Sequence, residues 1–144
     1  MHRRFQFLGN TKSNCPVFDD YAHNPDKISS CIVTAKEISN GRLFFVFQPH
    51  GYGPLGFMKE KLAENLKKVL HKNDVFIFLP VYYAGGTSSF SPKSEEAADE
   101  YRRRKIGNCI HCPDRSEAEK ILSSANSKDC IIIAGARDES LAQW

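Results

Sequence analysis

No stretch of these 144 residues is apolar for long enough to cross a bilayer, and no short apolar run resembles a secretory leader. A cytoplasmic protein without a membrane anchor is therefore expected. A disulfide framework is lacking: Cys15, Cys31, Cys109, Cys112 and Cys130 make an odd set without its regular spacing. The net charge of +3 is too small for the basic surface that nucleic acid or an anionic membrane demands. No G-x-x-x-x-G-K-[ST] occurs, so the chain lacks the usual P-loop for ATP phosphates. Repeats, low-complexity tracts and long linkers are missing too, and a single domain over 1–144 is expected.

What the chain does have is an ordinary globular composition, 41% hydrophobic and 26% charged, at a length that buries a sizeable core. Along it, strand-like and helix-like segments alternate. Residues 3–8 alternate in polarity and predict an edge strand within an opening strand and turn over 1–13. Residues 15–20 predict a short strand ending in two acids. Asn24-Pro25 opens a helix, since Asn caps well and Pro suits the first helical position. Ile28, Cys31, Ile32, Ala35 and Ile38 recur at helical spacing, and Gly41 is assigned the left-handed stop. Residues 43–47 form a continuous apolar run, as in a strand buried on both faces of a parallel sheet. After a loop over 48–53, Leu55, Met58, Leu62, Leu66, Val69 and Leu70 mark one helix face. Residues 75–79 and 130–134 are further buried strands, 94–105 and 116–125 further helices, 108–112 a short strand and 81–93 a long loop.

This βαβα order predicts an α/β, Rossmann-like three-layer αβα domain. Its mostly parallel sheet has about six strands, including one antiparallel edge strand. Acids 95, 96, 99 and 100 precede the run Arg102-Arg103-Arg104-Lys105, an order that suits a solvated helix face rather than a phosphate patch. The pair Cys109-Ile110-His111-Cys112 has redox-like or metal-like spacing. Without a second ligand pair, a packed strand end is the other reading.

Parallel sheets bind ligands at the carboxyl ends of their strands. That rule selects the loops over 19–25, 48–53, 81–86 and 135–138, which together hold acids, histidines, tyrosines and an arginine. Within them His23 and His50 are either site residues or solvent-facing loop histidines. Gly51-Tyr52-Gly53-Pro54-Leu55-Gly56 matches G-x-G-x-x-G and supports an alternative, a stand-alone nucleotide or dinucleotide-binding domain. Against it, Gln48-Pro49-His50 loosens the turn, Pro54 removes an N–H donor, and the next strand ends without an acid for a ribose.

Asp19-Asp20-Tyr21-Ala22-His23-Asn24-Pro25 closely resembles the loop that opens the C-terminal domain of Mur ligases. Val46-Phe47-Gln48-Pro49-His50 resembles that family's second buried strand and loop. Arg3-Arg4-Phe5-Gln6 with Gly9, Tyr82 to Gly86 and Ile133 to Asp138 are similar to segments of its UDP-N-acetylmuramate–L-alanine ligase and murein tripeptide ligase branch. The resemblance implies an ATP-dependent amide ligase of peptidoglycan precursor synthesis, working through an acyl phosphate. It implies an N-terminal domain for the UDP-sugar, a central P-loop domain for ATP and Mg²⁺, and a C-terminal domain that binds the incoming amino acid or peptide amine. The present chain corresponds to that last domain, which alone is expected to be inactive. By the same resemblance Asp20, Tyr21, His23 and Asn24 face the nucleotide and the reacting carboxylate. His50 and Tyr52 lie near the amine, and Arg137 clamps a carboxylate or instead pairs with Asp138 or Glu139. The loop after Pro49 lacks the arginines of the alanine-adding pattern, and Gly86 replaces an acid. L-Alanine is thus not fixed as the added group.

Overall fold

The computed structural model describes residues 6–20, 22, 24–39, 41–48, 52–71, 73–79, 94–106, 108–112 and 115–135. Among them the order is β1 (Gln6–Asn10), β2 (Pro16–Asp20), α1 (Pro25–Ile38), β3 (Leu43–Gln48), α2 (Tyr52–Val69), β4 (Val75–Phe78), α3 (Ser94–Arg103), β5 (Asn108–His111), α4 (Arg115–Leu122) and β6 (Cys130–Gly135). The strands form one sheet in the order β1-β2-β6-β3-β4-β5. Only β1 runs antiparallel, as the alternation in residues 3–8 implies. Its register slips between Phe7 and Gly9, where Gly9 adopts φ +138°, a conformation that only glycine takes without strain. The long loop over 81–93 and the segment after 135 lie outside the described residues.

The apolar runs are continuous because both faces of the sheet are covered. On one face Phe45, Phe47, Phe76, Phe78, Ile132 and Ala134 pack under α1, α2 and α3. On the other, Phe44, Val46, Ile77, Ile131 and Ile133 pack with Ala118 of α4. Phe76 is central to the first layer: its ring stacks on Phe45 at 5.1 Å and meets Phe78 and Phe47 at 5.0 and 6.0 Å. Tyr101 anchors α3 to α2 by donating its phenol to the Lys59 carbonyl at 2.6 Å. Around it, Lys59 pairs with Glu100, Arg104 with Glu60 and Glu100, and Arg102 with Asp99. The basic run is thus exposed at the end of α3 and the turn after it, with Arg102 and Arg104 in surface ion pairs of little energetic weight.

At the amino edge of the parallel strands two buried acids organise the turns. The Asp74 carboxylate accepts from Lys36 Nζ at 2.9 and 3.0 Å and from the amides of Leu43 and His71 at 3.0 and 2.9 Å. Asp129 accepts from the amides of Arg42 and Asn126 at 2.7 and 3.0 Å and from the Arg42 guanidinium at 3.2 Å. Burial opposes its ionisation, but these donors outweigh burial and hold its pKa below the ordinary carboxylate value. Its contribution to stability is therefore present above the unfolded carboxylate pKa and is lost as pH falls through the folded one.

Gly41 corrects one expectation. Helix α1 ends at Ile38 with Ser39 in an extended conformation (φ −120°, ψ 136°), so Gly41 is not a left-handed stop. It permits close approach instead. Its amide donates to the Lys128 carbonyl at 2.6 Å, and a Cβ there would meet that oxygen at 2.7 Å and collide with the Asp129 carboxylate. Gly41→Ala should cost about 1–3 kcal/mol through forced backbone displacement. Urea denaturation checks this, and an unchanged midpoint would contradict the close approach.

Candidate functional site

The pairing register builds the carboxyl edge of the sheet. Asp20 lies beside Ala134, Ala134 beside Phe47, Phe47 beside Phe78, and Phe78 beside His111. These five residues form one row across five parallel strands. The loops that follow Asp20, Gln48 and Gly135 leave from this row or the next, where Gln48 neighbours Gly135, while the loop over 81–86 lies outside the described residues. The strand ends that carry those loops are thus aligned at one rim.

Asp20, the last residue of β2, is half-buried there. The thiol of Cys31, on the inner face of α1, lies near it. Burial first, and the Asp20 charge second, raise the Cys31 pKa above its ordinary value. Asn24 caps α1: its Oδ1 accepts the Lys27 amide at 2.9 Å, Pro25 takes the first helical position, and the Ile28 amide closes the turn on the Asn24 carbonyl at 2.9 Å. Between the two, Ala22 is packed into the core. The strand end, Ala22 and the cap therefore bracket positions 21 and 23 at single-residue intervals. Tyr21, His23, His50 and Arg137 themselves lie outside the described residues. Tyr52 is the first residue of α2. Of the residues chosen from sequence, the structure describes Asp20 and Asn24 together, at the end of β2 and the start of α1.

Two features escaped the sequence. Cys31 was legible as a core position of α1 but not as a neighbour of Asp20, because strand-to-helix packing is not written in either segment. His111 was hidden inside the Cys109–Cys112 spacing. An offset of three residues at the end of a strand sends the two thiols to opposite faces. Cys109 packs on the α3 side and Cys112 on the α4 side, both buried. Burial pushes Cys109 and Cys130 up to about 12 and Cys15 to about 11, so these thiols stay protonated and unreactive at neutral pH.

Of the glycine motif, Gly51 lies outside the described residues. Helix α2 already begins at Tyr52, so Gly53 and Gly56 belong to its first turns. Two clefts lie away from the rim. One, of about 840 Å³, runs between the β1–β2 turn and α4 over Val17, Ile131 and Ile133. The other, of about 300 Å³, is the amino-edge cleft around Asp74 and Asp129, whose polar groups already satisfy one another. Neither includes a residue chosen from the sequence.

The family pattern described as "Mur ligase, glutamate ligase domain" matches residues 3–137. The chain belongs to this Mur ligase family. Among its Mur ligase relatives, a UDP-N-acetylmuramate–L-alanine ligase from Pelotomaculum thermopropionicum is 33% identical over 142 residues. The match covers 94% of this chain but 29% of that protein, so the chain spans under a third of its relative's length. The fold is shared with a murein peptide ligase from Psychrobacter arcticus at TM-score 0.71 and 21% identity, over 99% of this chain and 28% of the other. It is shared also with a separately solved domain from Haemophilus ducreyi, ascribed to a UDP-N-acetylmuramate:L-alanyl-γ-D-glutamyl-diaminopimelate ligase. That likeness has TM-score 0.64 and 20% identity and covers 97% of this chain and 94% of the other. The mostly parallel six-stranded sheet with one antiparallel edge pair is thus the Mur ligase C-terminal architecture. Among the described residues no helix is long and apolar enough to cross a membrane.

Proposed function

We propose that the chain is the substrate-binding and closing domain of an ATP-dependent, amide-forming Mur ligase acting on peptidoglycan precursors. The observation that carries the reading is the alignment of the loop-bearing strand ends at one rim, in a chain matched along nearly its whole length by the family pattern. In the complete ligase a carboxylate oxygen of a UDP-sugar substrate attacks the γ-phosphorus of ATP, giving an acyl phosphate and ADP. The amine of an amino acid or peptide then attacks the acyl carbon. The amide forms, phosphate leaves with the carbon–oxygen bonding pair, and the amine loses a proton.

The central domain would hold ATP and Mg²⁺. A bound Mg²⁺ would neutralise phosphate charge, and Asp20 would accept from a ribose hydroxyl or help hold a cation-bridged phosphate from this side. His23, with Tyr21 and Asn24, would face the nucleotide and acyl group. His50 and Tyr52 would flank the amine, and Arg137 would offer a bidentate grip on a carboxylate. Placing these groups on a separate closing domain delays water exclusion until both substrates are bound, which protects the acyl phosphate.

The test is ADP release by the complete polypeptide given ATP, Mg²⁺ and UDP-N-acetylmuramate, with and without amino acid or peptide acceptors. Acceptor-dependent ADP release with formation of the amide product is expected. Failure with every acceptor, together with tight NAD binding by the 144-residue chain, would replace this reading by the dinucleotide one.

A further inference from the structure

The two faces of the sheet are covered unequally. Helices α1, α2 and α3 pack on the Phe45–Phe76 layer, whereas among the described residues α4 alone packs on the opposite one. A helix covers a strip about 10 Å wide, and a six-stranded sheet is about 24 Å across. The cleft of about 840 Å³ lies in the uncovered part, beside α4 on the β6, β2 and β1 side. Its floor is apolar, made by Val17, Ile131 and Ile133, with Leu122 of α4 on one wall. Leu8, which the register slip leaves out of the β1–β2 pairing, lines the outer edge and is 37% exposed. Lys12 in the turn and Glu119 on α4 place one charge of each sign at the two sides. Such a surface suits apolar side chains rather than a charged ligand.

Strand β6 supplies Ile131 and Ile133 to the floor, and its continuation carries side chains that fit above them. After Gly135 the chain reads Arg137, Asp138 and Glu139, then Leu141, Ala142 and Trp144. Asp138 is a good helix N-cap, and Leu141 and Trp144 stand three apart, the spacing of neighbours on one helix face. The lengths agree. Ile131 lies four residues back from Gly135 along β6, about 13 Å, and the nine residues 136–144 span about 13 Å as a helix. A segment that turns back over the sheet therefore brings Trp144 level with Ile131.

We propose that residues 136–144 dock into this cleft, with Leu141 and Trp144 packed over Val17, Ile131 and Ile133 beside Leu122. The docking goes beyond the ligase reading and does not depend on it. It completes the cover of the α4 layer. It also anchors the chain on the far side of Arg137, so that Arg137 is tethered at both ends beside the carboxyl rim.

Trp144 is the one tryptophan of the sequence, so the fluorescence of the 144-residue chain reads this contact alone. Its emission should be shifted to the blue, and iodide should quench it weakly. Leu122→Lys and Leu141→Asp should each return emission and quenching to those of a solvated tryptophan. Leu8→Lys, at a position already partly exposed and so tolerant of charge, should do the same to a smaller extent. Val33→Lys, at an exposed position of α1 on the other face, should change neither. Far-UV circular dichroism shows that each variant is folded, and Leu8→Lys tests the cleft even where Leu122→Lys is not. Emission of a solvated tryptophan in the unaltered chain overturns the docking. So does a blue shift that survives both Leu8→Lys and Leu141→Asp, which would place Trp144 elsewhere. A blue shift that fades on dilution assigns the cleft to the same segment of a second copy and overturns docking within one chain.

Discussion

Asp74→Ala should destabilise the domain by about 3–5 kcal/mol, among the largest losses any single substitution here would cause. The carboxylate is 1% exposed and ties together three chain segments: Lys36 at the end of α1, the Leu43 amide that starts β3, and the His71 amide after α2. Deleting it leaves two amides and an ammonium facing a buried gap. Each unsatisfied group costs about 1–3 kcal/mol, more where charged. Asp74→Asn keeps an oxygen that can accept one amide, so its loss should be roughly half as large. Urea denaturation of the two variants checks the order. A loss below about 1 kcal/mol for Asp74→Ala would mean that water replaces these contacts and that the amino edge is not held by this acid.

Asp20→Asn should act in the opposite way, leaving stability nearly unchanged and lowering turnover of the complete ligase about 10- to 100-fold. The substitution is nearly isosteric at a half-buried strand end, so packing against α1 survives. What it removes is the negative charge at the start of the rim, and hydrogen bonds to charged groups contribute about 1.5–3 kcal/mol each. If the charge supports the reaction rather than substrate capture, kcat falls while KM for the acceptor stays within about twofold. Turnover equal to that of the unaltered enzyme would remove Asp20 from the site. A stability loss of several kcal/mol would reassign it to the fold.

The contrast between these acids shows what a sequence displays and what it hides. Strands β3, β4 and β6 were legible because a strand covered on both faces must be apolar throughout. Helix α1 was legible from a cap and a period, both local signals. The insertion of β6 between β2 and β3 was not, because parallel pairing joins residues far apart in the chain, such as Val17 with Ile131 and Leu43 with Cys130, and leaves no local mark. Gly41 was misassigned for the same reason: its constraint is Asp129, far along the chain, and not the helix before it. Helix α2 begins earlier than expected since Pro54, a breaker inside a helix, is tolerated in the first turn. For the site, strand ends and loops could be named from sequence, whereas the register that puts Asp20 and His111 in one row came only with the sheet.

The central claim is that the carboxyl rim is the working surface of this domain. Hydrogen–deuterium exchange of the complete polypeptide, with and without ATP, Mg²⁺ and UDP-N-acetylmuramate, tests it most directly. Ligand-dependent protection is predicted in peptides covering 20–25, 48–53 and 135–138, with none around 36–42, 71–74 and 126–129 at the amino edge. Protection confined to the amino-edge peptides would contradict it.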